Sequence, residues 1–409
     1  MKSFFSNKHL LMIMGIIGFL AIASIPFIPL KTEAKSSDLL ETVKGYVKSD
    51  FVKKDVTDKQ LEYGAIKGLL ASLNDPYTRF IDPKGFEQMQ DRLKGEFFGI
   101  GIQIGMHKNH LAVIAPIPGT PAEKAGLKSL DLIVSVDGKA TDGMGLEETV
   151  SLIRGAKGTP VVLEIKRADQ KKIFKVTILR DTIRTTAVDK QEVFQRKEGR
   201  VGYIRLTTFE NQYATREMQV AIQNLHKKNI DALIVDLRNN GGGLLKNAIG
   251  IGGLFMENVV IVHTVDRDKH RQTQSVSGTP QYATGPLIML VNEGSASASE
   301  ILAGAVKDNH RGIIVGKHTF GKASVQKIID LEDHSAVLLT IQKYLTPNGI
   351  DITEKGITVD VQADIPTATI KAAEKPNYTY SYDKDPQLQK AIAVALQKIK
   401  ETKTHLVKK

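Results

Sequence analysis

Cysteine is missing altogether from this chain, which excludes disulfide staples, thiolate metal sites, a cysteine nucleophile and a lipidated cysteine near the N-terminus. No His-Glu-x-x-His motif or other cluster of ligands occurs, so a metalloprotease is unsupported and neither a metal nor a cofactor is expected. Basic blocks with interleaved aromatics are lacking as well: the net charge of +11 is spread over many short stretches, so nucleic acid is not expected as a partner. That charge suits a solvated basic surface facing anionic cell-surface polymers. No internal repeat or low-complexity tract stands out. What remains is 42% hydrophobic and 25% charged, ordinary for a globular protein and unlike a disordered or multi-span membrane chain. At 409 residues there is room for two or three domains, since one domain usually takes about 100–200 residues.

One long apolar run breaks that evenness. Lys2 and Lys8 precede the stretch from Leu10 to Leu30, and the polar Lys31-Thr32-Glu33-Ala34-Lys35 follows it, the pattern of an export signal. Thr32-Glu33-Ala34 offers a small-x-small cleavage site, yet the run is also long enough to span a bilayer, which takes about 20 residues. Residues 1–34 are read as a signal peptide or signal anchor that inserts in or crosses the membrane. The remainder is expected outside the cytoplasm, membrane-anchored or secreted after cleavage.

Past that segment the hydrophobic period changes along the chain. Leu39, Val43, Tyr46 and Val47 form one helical stripe; Leu61, Ala65, Ile66, Leu69, Leu70 and Leu73 form a second. Thr57 and Gln60 spell a capping box at the start of the second helix, and Asn74-Asp75-Pro76 stops it. From Gly95 to Asp181 short β-branched strands alternate with Gly, Pro and Asp turns around one helix, Gly145 to Arg154. From Val201 strands and helices alternate, an α/β layer pattern. A last stripe, Leu388, Ile392, Ala395, Leu396 and Ile399, marks a final helix after the polar, Pro376-containing stretch. The expected fold class is a multidomain α/β (α+β) protein: a helical segment over 35–93, a β-rich domain over 94–182, an α/β core over 183–370 and a helical segment over 371–409.

Three glycine-punctuated junctions carry the chemistry. Asn292-Glu293-Gly294-Ser295-Ala296-Ser297-Ala298-Ser299-Glu300 follows the apolar strand Leu287–Val291 and opens an apolar-periodic helix. A serine there gains an amide donor beside it and the favourable field of a helix N-terminus for developing negative charge. A plain helix cap is the alternative role for Ser295, Ser297 or Ser299. Thr319-Phe320-Gly321-Lys322-Ala323-Ser324-Val325-Gln326 is a second such turn, and a desolvated lysine in it can accept a proton near neutral pH. In the third, Asp236-Leu237-Arg238-Asn239-Asn240-Gly241-Gly242-Gly243-Leu244, consecutive glycines let backbone N–H groups approach a carbonyl closely.

Together with Asp75-Pro76-Tyr77, Phe98-Gly99-Ile100-Gly101, Pro118-Gly119-Thr120-Pro121-Ala122 and Arg154-Gly155 with Gly158-Thr159, these blocks resemble the carboxyl-terminal processing peptidases, or tail-specific proteases. The resemblance covers nearly the whole chain after the signal. It implies a serine endopeptidase working through an acyl-enzyme. Ser297 is then the nucleophile, Lys322 the general base and Gln326 the group that orients the lysine. The oxyanion donors map to the backbone of Ala298 and of Gly242-Gly243. Two positions depart from the family pattern: Ala323 stands where glycine is usual and Gly241 where proline is usual. Alanine demands negative φ more strictly than glycine, and Gly241 loosens its turn.

The β-rich segment resembles a PDZ domain. That implies that the Phe98-Gly99-Ile100-Gly101 loop captures the terminal carboxylate of an apolar C-terminal tail, which adds as a strand. Arg154, at the end of the domain's helix, is expected to couple tail occupancy to the alignment of Lys322. The terminal helices suggest a homodimer, or else packing on the chain's own core. Asp308 matches an acidic family position and is given a supporting role.

Rival readings lack partners in the sequence. His310 and His318 lie between Ser297 and Lys322, but no G-x-S-x-G elbow accompanies them. Ser381-Tyr382-Asp383-Lys384 spells S-x-x-K without a K-T-G partner. A catalytically silent tail-binding scaffold is the alternative from a different functional class.

Overall fold

The computed structural model describes residues 36–107, 110–117, 119–170, 172–366, 369 and 380–407. The Leu10–Leu30 run, Pro118 and Pro376 lie outside the described residues. The chain divides into two compact units at Glu62/Tyr63. In the first, helix Ser36–Asp50 leaves Leu39, Leu40, Val43 and Tyr46 exposed. The Thr57/Gln60 box forms as its sequence predicts: Gln60 N donates to Thr57 Oγ1 at 3.2 Å and Thr57 N to Gln60 Oε1 at 2.9 Å. It opens helix Asp58–Ala71.

In the second unit, strands Ile102–His107, His110–Pro116, Leu132–Val136, Pro160–Lys166 and Phe174–Leu179 form an antiparallel sheet in that order. Helix Leu146–Ile153 packs on it. Strand alternation sends Val161, Leu163 and Ile165 to one fully buried face, where they meet Ile133, Val136 and Ile153.

The α/β expectation is met by a second sheet. Its order is Val188–Gln195, Arg200–Leu206, Ala232–Asp236, Leu287–Val291, Ile313–Gly316 and Val361–Gln362, antiparallel at the first pairing and parallel at the others. Ala232–Asp236 and Leu287–Val291 are buried at every position, because helices cover both faces of a parallel sheet. Ala214–His226, Leu245–Gly253 and Ala298–Asp308 share one core with it, and Pro386–Val407 covers the other face. This corrects half of the dimer expectation. The stripe Leu388, Ile392, Ala395 and Ile399 is buried against the chain's own Ile234, Ile288 and Leu290, since a sheet that is apolar on both sides needs a second helical layer.

Two features have no counterpart in the sequence-level pattern. One is an antiparallel sheet of Arg79–Ile81, Ala336–Leu345, Val259–Asp266 and Arg271–Val276, with Ser324–Asp330 also paired to Ala336–Leu345. The other is helix Pro83–Lys94, started by Asp82 Oδ1 accepting from Gly85 N at 2.8 Å and ended by Gly95 at φ 72°. Among the described residues no helix is long and apolar enough to cross a membrane.

Candidate active site

The parallel sheet delivers two of the three glycine-rich junctions to the C-terminal ends of neighbouring strands, where α/β sheets place their sites. Strand Ala232–Asp236 leads into Leu237–Leu244, and strand Leu287–Val291 into Asn292–Ser297. Backbone and hydroxyl bonds lace them together: Ser295 Oγ donates to Leu237 O at 2.8 Å, Ser299 Oγ to Asn240 O at 2.8 Å, and Ala296 N to Asn240 O at 3.0 Å. The lysine turn joins through Phe320 N, which donates to Ser295 O at 3.0 Å.

These bonds separate the serines. Ser295 and Ser299 are fully buried with their hydroxyls committed to carbonyls, whereas Ser297 is half-buried. Ser297 stands at the N-cap of helix Ala298–Asp308 with φ 56° and ψ −115°. Ordinary caps are extended, and such an outlier costs about 1–3 kcal/mol and clusters at functional sites.

Glu300 holds the strained turn. Although buried, its carboxylate accepts from Ser297 N at 2.8 Å, Lys322 N at 2.9 Å, Gly321 N at 2.6 Å and Thr319 Oγ1 at 2.6 Å. A single oxygen, Oε2, takes both the Ser297 and the Lys322 amide, so it ties the serine and lysine backbones together. Tyr344, on strand Ala336–Leu345, adds its hydroxyl to Lys322 O and lies 3.2 Å from Ser297 O. Burial pushes the Glu300 carboxyl up from the usual carboxylate range, against the pull of Thr319 and the amides. Sequence reasoning gave Glu300 no role, although Ser297-Ala298-Ser299-Glu300 spells the S-x-x-E of a capping box.

Lys322 is half-buried. Burial pushes its ammonium below the ordinary lysine range, with Arg79 acting in the same direction and Asp75, Glu300 and Glu210 opposing. Its Nζ lies 4.7 Å from the centroid of the Tyr77 ring. Gln326, on strand Ser324–Asp330, donates instead to Ser324 Oγ at 2.9 Å and Thr340 Oγ1 at 3.2 Å. The geometry therefore brings Ser297 and Lys322 together by backbone, and leaves the Gln326 amide on its own sheet.

The glycine turn is built to touch the serine. Gly242 and Gly243 have φ of 96° and 143°. A Cβ on Gly242 would come within 2.8 Å of both Ala298 N and Ser297 Cβ, and one on Gly243 within 2.1 Å of Glu210 N. Phe209 N donates to Gly242 O at 2.8 Å and Leu244 N to Phe209 O at 2.9 Å, fixing the turn. Gly242 N is engaged by Asn240 Oδ1 at 2.9 Å. Among the described residues the amides of Ala298 and Gly243 find no acceptor, unlike that of Gly242.

A separate groove of about 180 Å³ lies between strand Ile102–His107 and helix Leu146–Ile153, lined by Gly99, Ile100, Gly101, Ile104, Ile153 and Arg154 among others. Phe97 faces it, while Phe98 does not line it and is exposed. Side chains alternate along strand Glu96–Gly99. Arg154 caps the helix, stacks 4.5 Å over Phe97 and lies 3.9 Å from Asp91. On the same helix as Asp91, Arg92 pairs with Glu210 at 3.2 Å. Gln212 N donates to Leu93 O at 3.0 Å. The helix thus connects the groove's rim to the loop that holds Gly243. Asp308 accepts from Asn348 N at 2.9 Å, and His310 and His318 are both exposed.

Comparison with known proteins agrees with this architecture. Residues 200–363 match peptidase family S41, residues 113–167 a PDZ domain and residues 30–85 the activating protease CtpB N-terminal domain. A carboxyl-terminal-processing protease of Picosynechococcus is 39% identical over 317 residues, covering 77% of this chain and 76% of that protein. The carboxy-terminal processing protease CtpA of Bacillus subtilis is 37% identical over 329 residues, covering 80% and 69%. A crystal structure of an S41 protease from Bacteroides fragilis superposes with TM-score 0.56 at 14% identity, covering 87% of this chain and 96% of that one, and shows the same fold. With relatives this similar over most of their length, the chain belongs to the carboxyl-terminal-processing proteases of peptidase family S41, serine-type peptidases that carry a PDZ domain.

Proposed function

We propose that this protein is an exported endopeptidase in which the PDZ groove binds an apolar C-terminal tail and Ser297 cleaves the chain with Lys322 as general base. The observation that carries the reading is Glu300 Oε2, shared by the amides of Ser297 and Lys322, beside a glycine turn with free donors. Neutral Lys322 takes the Ser297 hydroxyl proton as Oγ bonds to the scissile carbonyl carbon. The carbonyl electron pair moves onto oxygen, which the amides of Ala298 and Gly243 receive at the positive end of helix Ala298–Asp308. Collapse expels the amine, which takes the proton from Lys322, and water hydrolyses the acyl-enzyme by the reverse sequence. Gln326 orients the lysine once substrate is bound, by turning its amide from Ser324 and Thr340 toward Nζ. The extended tail adds along strand Ile102–His107, with its carboxylate at the Gly99-Ile100-Gly101 amides. Arg154 transmits occupancy of the groove through Asp91 and the helix that follows Asp82.

The 1–34 segment directs the enzyme across the membrane and leaves it anchored there or released. Exposed Leu39, Leu40, Val43 and Tyr46 offer a face for a second copy. The test is hydrolysis of an unfolded reporter bearing an apolar C-terminal tail, beside the Ser297→Ala and Lys322→Ala variants. Loss in both is expected. Retention in either overturns the site assignment, and silence of all three, with tail binding intact, makes the chain a tail-binding scaffold.

A further inference from the structure

The Asp75-Pro76-Tyr77 turn takes no part in the mechanism above, yet it is fixed against the lysine. Asp75 Oδ1 accepts from Tyr77 N at 3.1 Å and Oδ2 from Thr78 Oγ1 at 2.6 Å, while Thr340 N donates to Thr78 Oγ1 at 3.0 Å. Directly afterwards Arg79, Phe80 and Ile81 pair with Leu338, Val337 and Ala336. The strand that receives this turn, Ala336–Leu345, also carries Tyr344, whose hydroxyl holds Lys322 O. One strand therefore fixes both the lysine backbone and the half-buried ring beneath its Nζ, 4.7 Å from the centroid. That separation is inside the roughly 6 Å over which a ring face attracts a cation.

We infer that Tyr77 is a positioning residue for Lys322: its ring face receives the ammonium that forms when the Ser297 proton is taken up. The inference rests on Lys322 being the general base. A ring can act on such a lysine in two opposed ways. By excluding water it disfavours the ammonium, and by presenting its negative face it favours it. The contact at Nζ makes the second effect the specific one. Other charged or titratable groups around the lysine are Asp75, Arg79, Glu210 and Glu300, with Tyr344 at its carbonyl and Glu354 backing Gly321. None of them is altered by a change confined to the ring.

The experiment is the pH profile of kcat/KM on the apolar-tailed reporter for the full chain, which reports the free enzyme's base. It compares the wild type with Tyr77→Phe, Tyr77→Leu and Tyr77→trifluorophenylalanine. The last keeps ring shape while weakening the π face, and so guards against a leucine variant that folds poorly. Tyr77→Phe is expected to keep the acid limb in place. Tyr77→Leu and the fluorinated variant are expected to move it down by about 0.4–0.7 pH unit and to lower the alkaline plateau roughly two- to fivefold. A limb that stays, or moves upward, in the fluorinated variant overturns the role of Tyr77. Failure of the underlying reading shows elsewhere: Lys322→Ala then retains turnover with the wild-type acid limb.

Discussion

Replacing Glu300 by glutamine removes a charge without removing volume, and the hydrogen bonds around it fix the expected outcome. Oε1 accepts from Thr319 Oγ1 and Gly321 N, Oε2 from Ser297 N and Lys322 N. A glutamine must put its NH2 where one oxygen was, facing donors. The less costly orientation aims it at Thr319, whose hydroxyl already accepts from Ile357 N at 2.7 Å and can turn its proton away. Gly321 N–H is then orphaned in a buried setting, at about 1–3 kcal/mol. The bonds to Ser297 and Lys322 lose charge assistance, roughly half their strength. Relief of the burial that pushes the Glu300 carboxyl upward offsets part of this. The net expectation is a loss of about 3 kcal/mol. At about 2–4 °C per kcal/mol for a domain of this size, the melting temperature should fall by roughly 6–12 °C.

Activity should fall further than stability explains, because the two backbones lose the oxygen they share. A displacement of about 1 Å in such a constellation costs on the order of 100-fold. Circular dichroism melts and turnover of the tailed reporter, measured on one preparation at a temperature where the variant is folded, separate the two effects. A melting temperature within about 1 °C of wild type, with turnover within about twofold, would refute the argument, since an orphaned amide at even about 1 kcal/mol lowers the melting temperature by about 2 °C and displaced backbones lower turnover far more than twofold.

Three other expectations follow from the same geometry. Gly243→Ala puts a Cβ within 2.1 Å of Glu210 N and displaces a proposed oxyanion donor, so turnover should drop about 100- to 1,000-fold while tail binding to the PDZ groove, measured by fluorescence anisotropy, stays unchanged. Arg154→Ala removes the contacts to Phe97 and Asp91, so stimulation of turnover by a free apolar-tailed peptide should shrink severalfold; full stimulation rules out the relay. Because burial and Arg79 lower the Lys322 pKa and only the neutral amine accepts a proton, kcat/KM should rise with pH through a midpoint below the ordinary lysine value and fall away on the acid side. A profile flat from about pH 6 to 10 excludes lysine as the base.

Legibility in the sequence followed the range of the interactions. The Thr57/Gln60 cap, the helix 146–153 and the parallel strands could be read directly, because capping, amphipathic period and buried strand runs are local signals. The hairpin Val259–Asp266/Arg271–Val276 and the strands Ser324–Asp330 and Ala336–Leu345 escaped because none alternates cleanly: Ile261–Thr264 are buried on both faces, Arg271–Val276 is mostly exposed, and the last two strands are largely half-buried on both faces. Phe97 was missed because the Phe98–Gly101 run was read for its backbone amides, and only the strand's phase decides which aromatic faces the groove. For Leu388–Ile399 the sequence left a second copy and the chain's own core open as partners, because the sheet face that covers the stripe is far away in sequence.

The choice among the serines shows how far a local motif reaches. Ser297-Ala298-Ser299-Glu300 obeys the rule for a helix start, and on that rule alone the serine is a cap and the glutamate its reciprocal partner. In the structure Glu300 Oε2 accepts from Ser297 N as that rule requires, but the serine stands at φ 56° and ψ −115°. A residue whose work is capping has no reason to bear about 1–3 kcal/mol of backbone strain, because an extended serine caps as well without it. Glu300 also reaches past the helix start to Gly321, Lys322 and Thr319, which no cap requires. A carboxylate that fixes a strained serine and a desolvated lysine in one network is therefore better explained as a device for holding the two proposed reacting groups in register, with the helix start supplying the amides. The helix-start motif and the proposed nucleophile share these four residues, and the long-range partners of Glu300 are what separate the two readings.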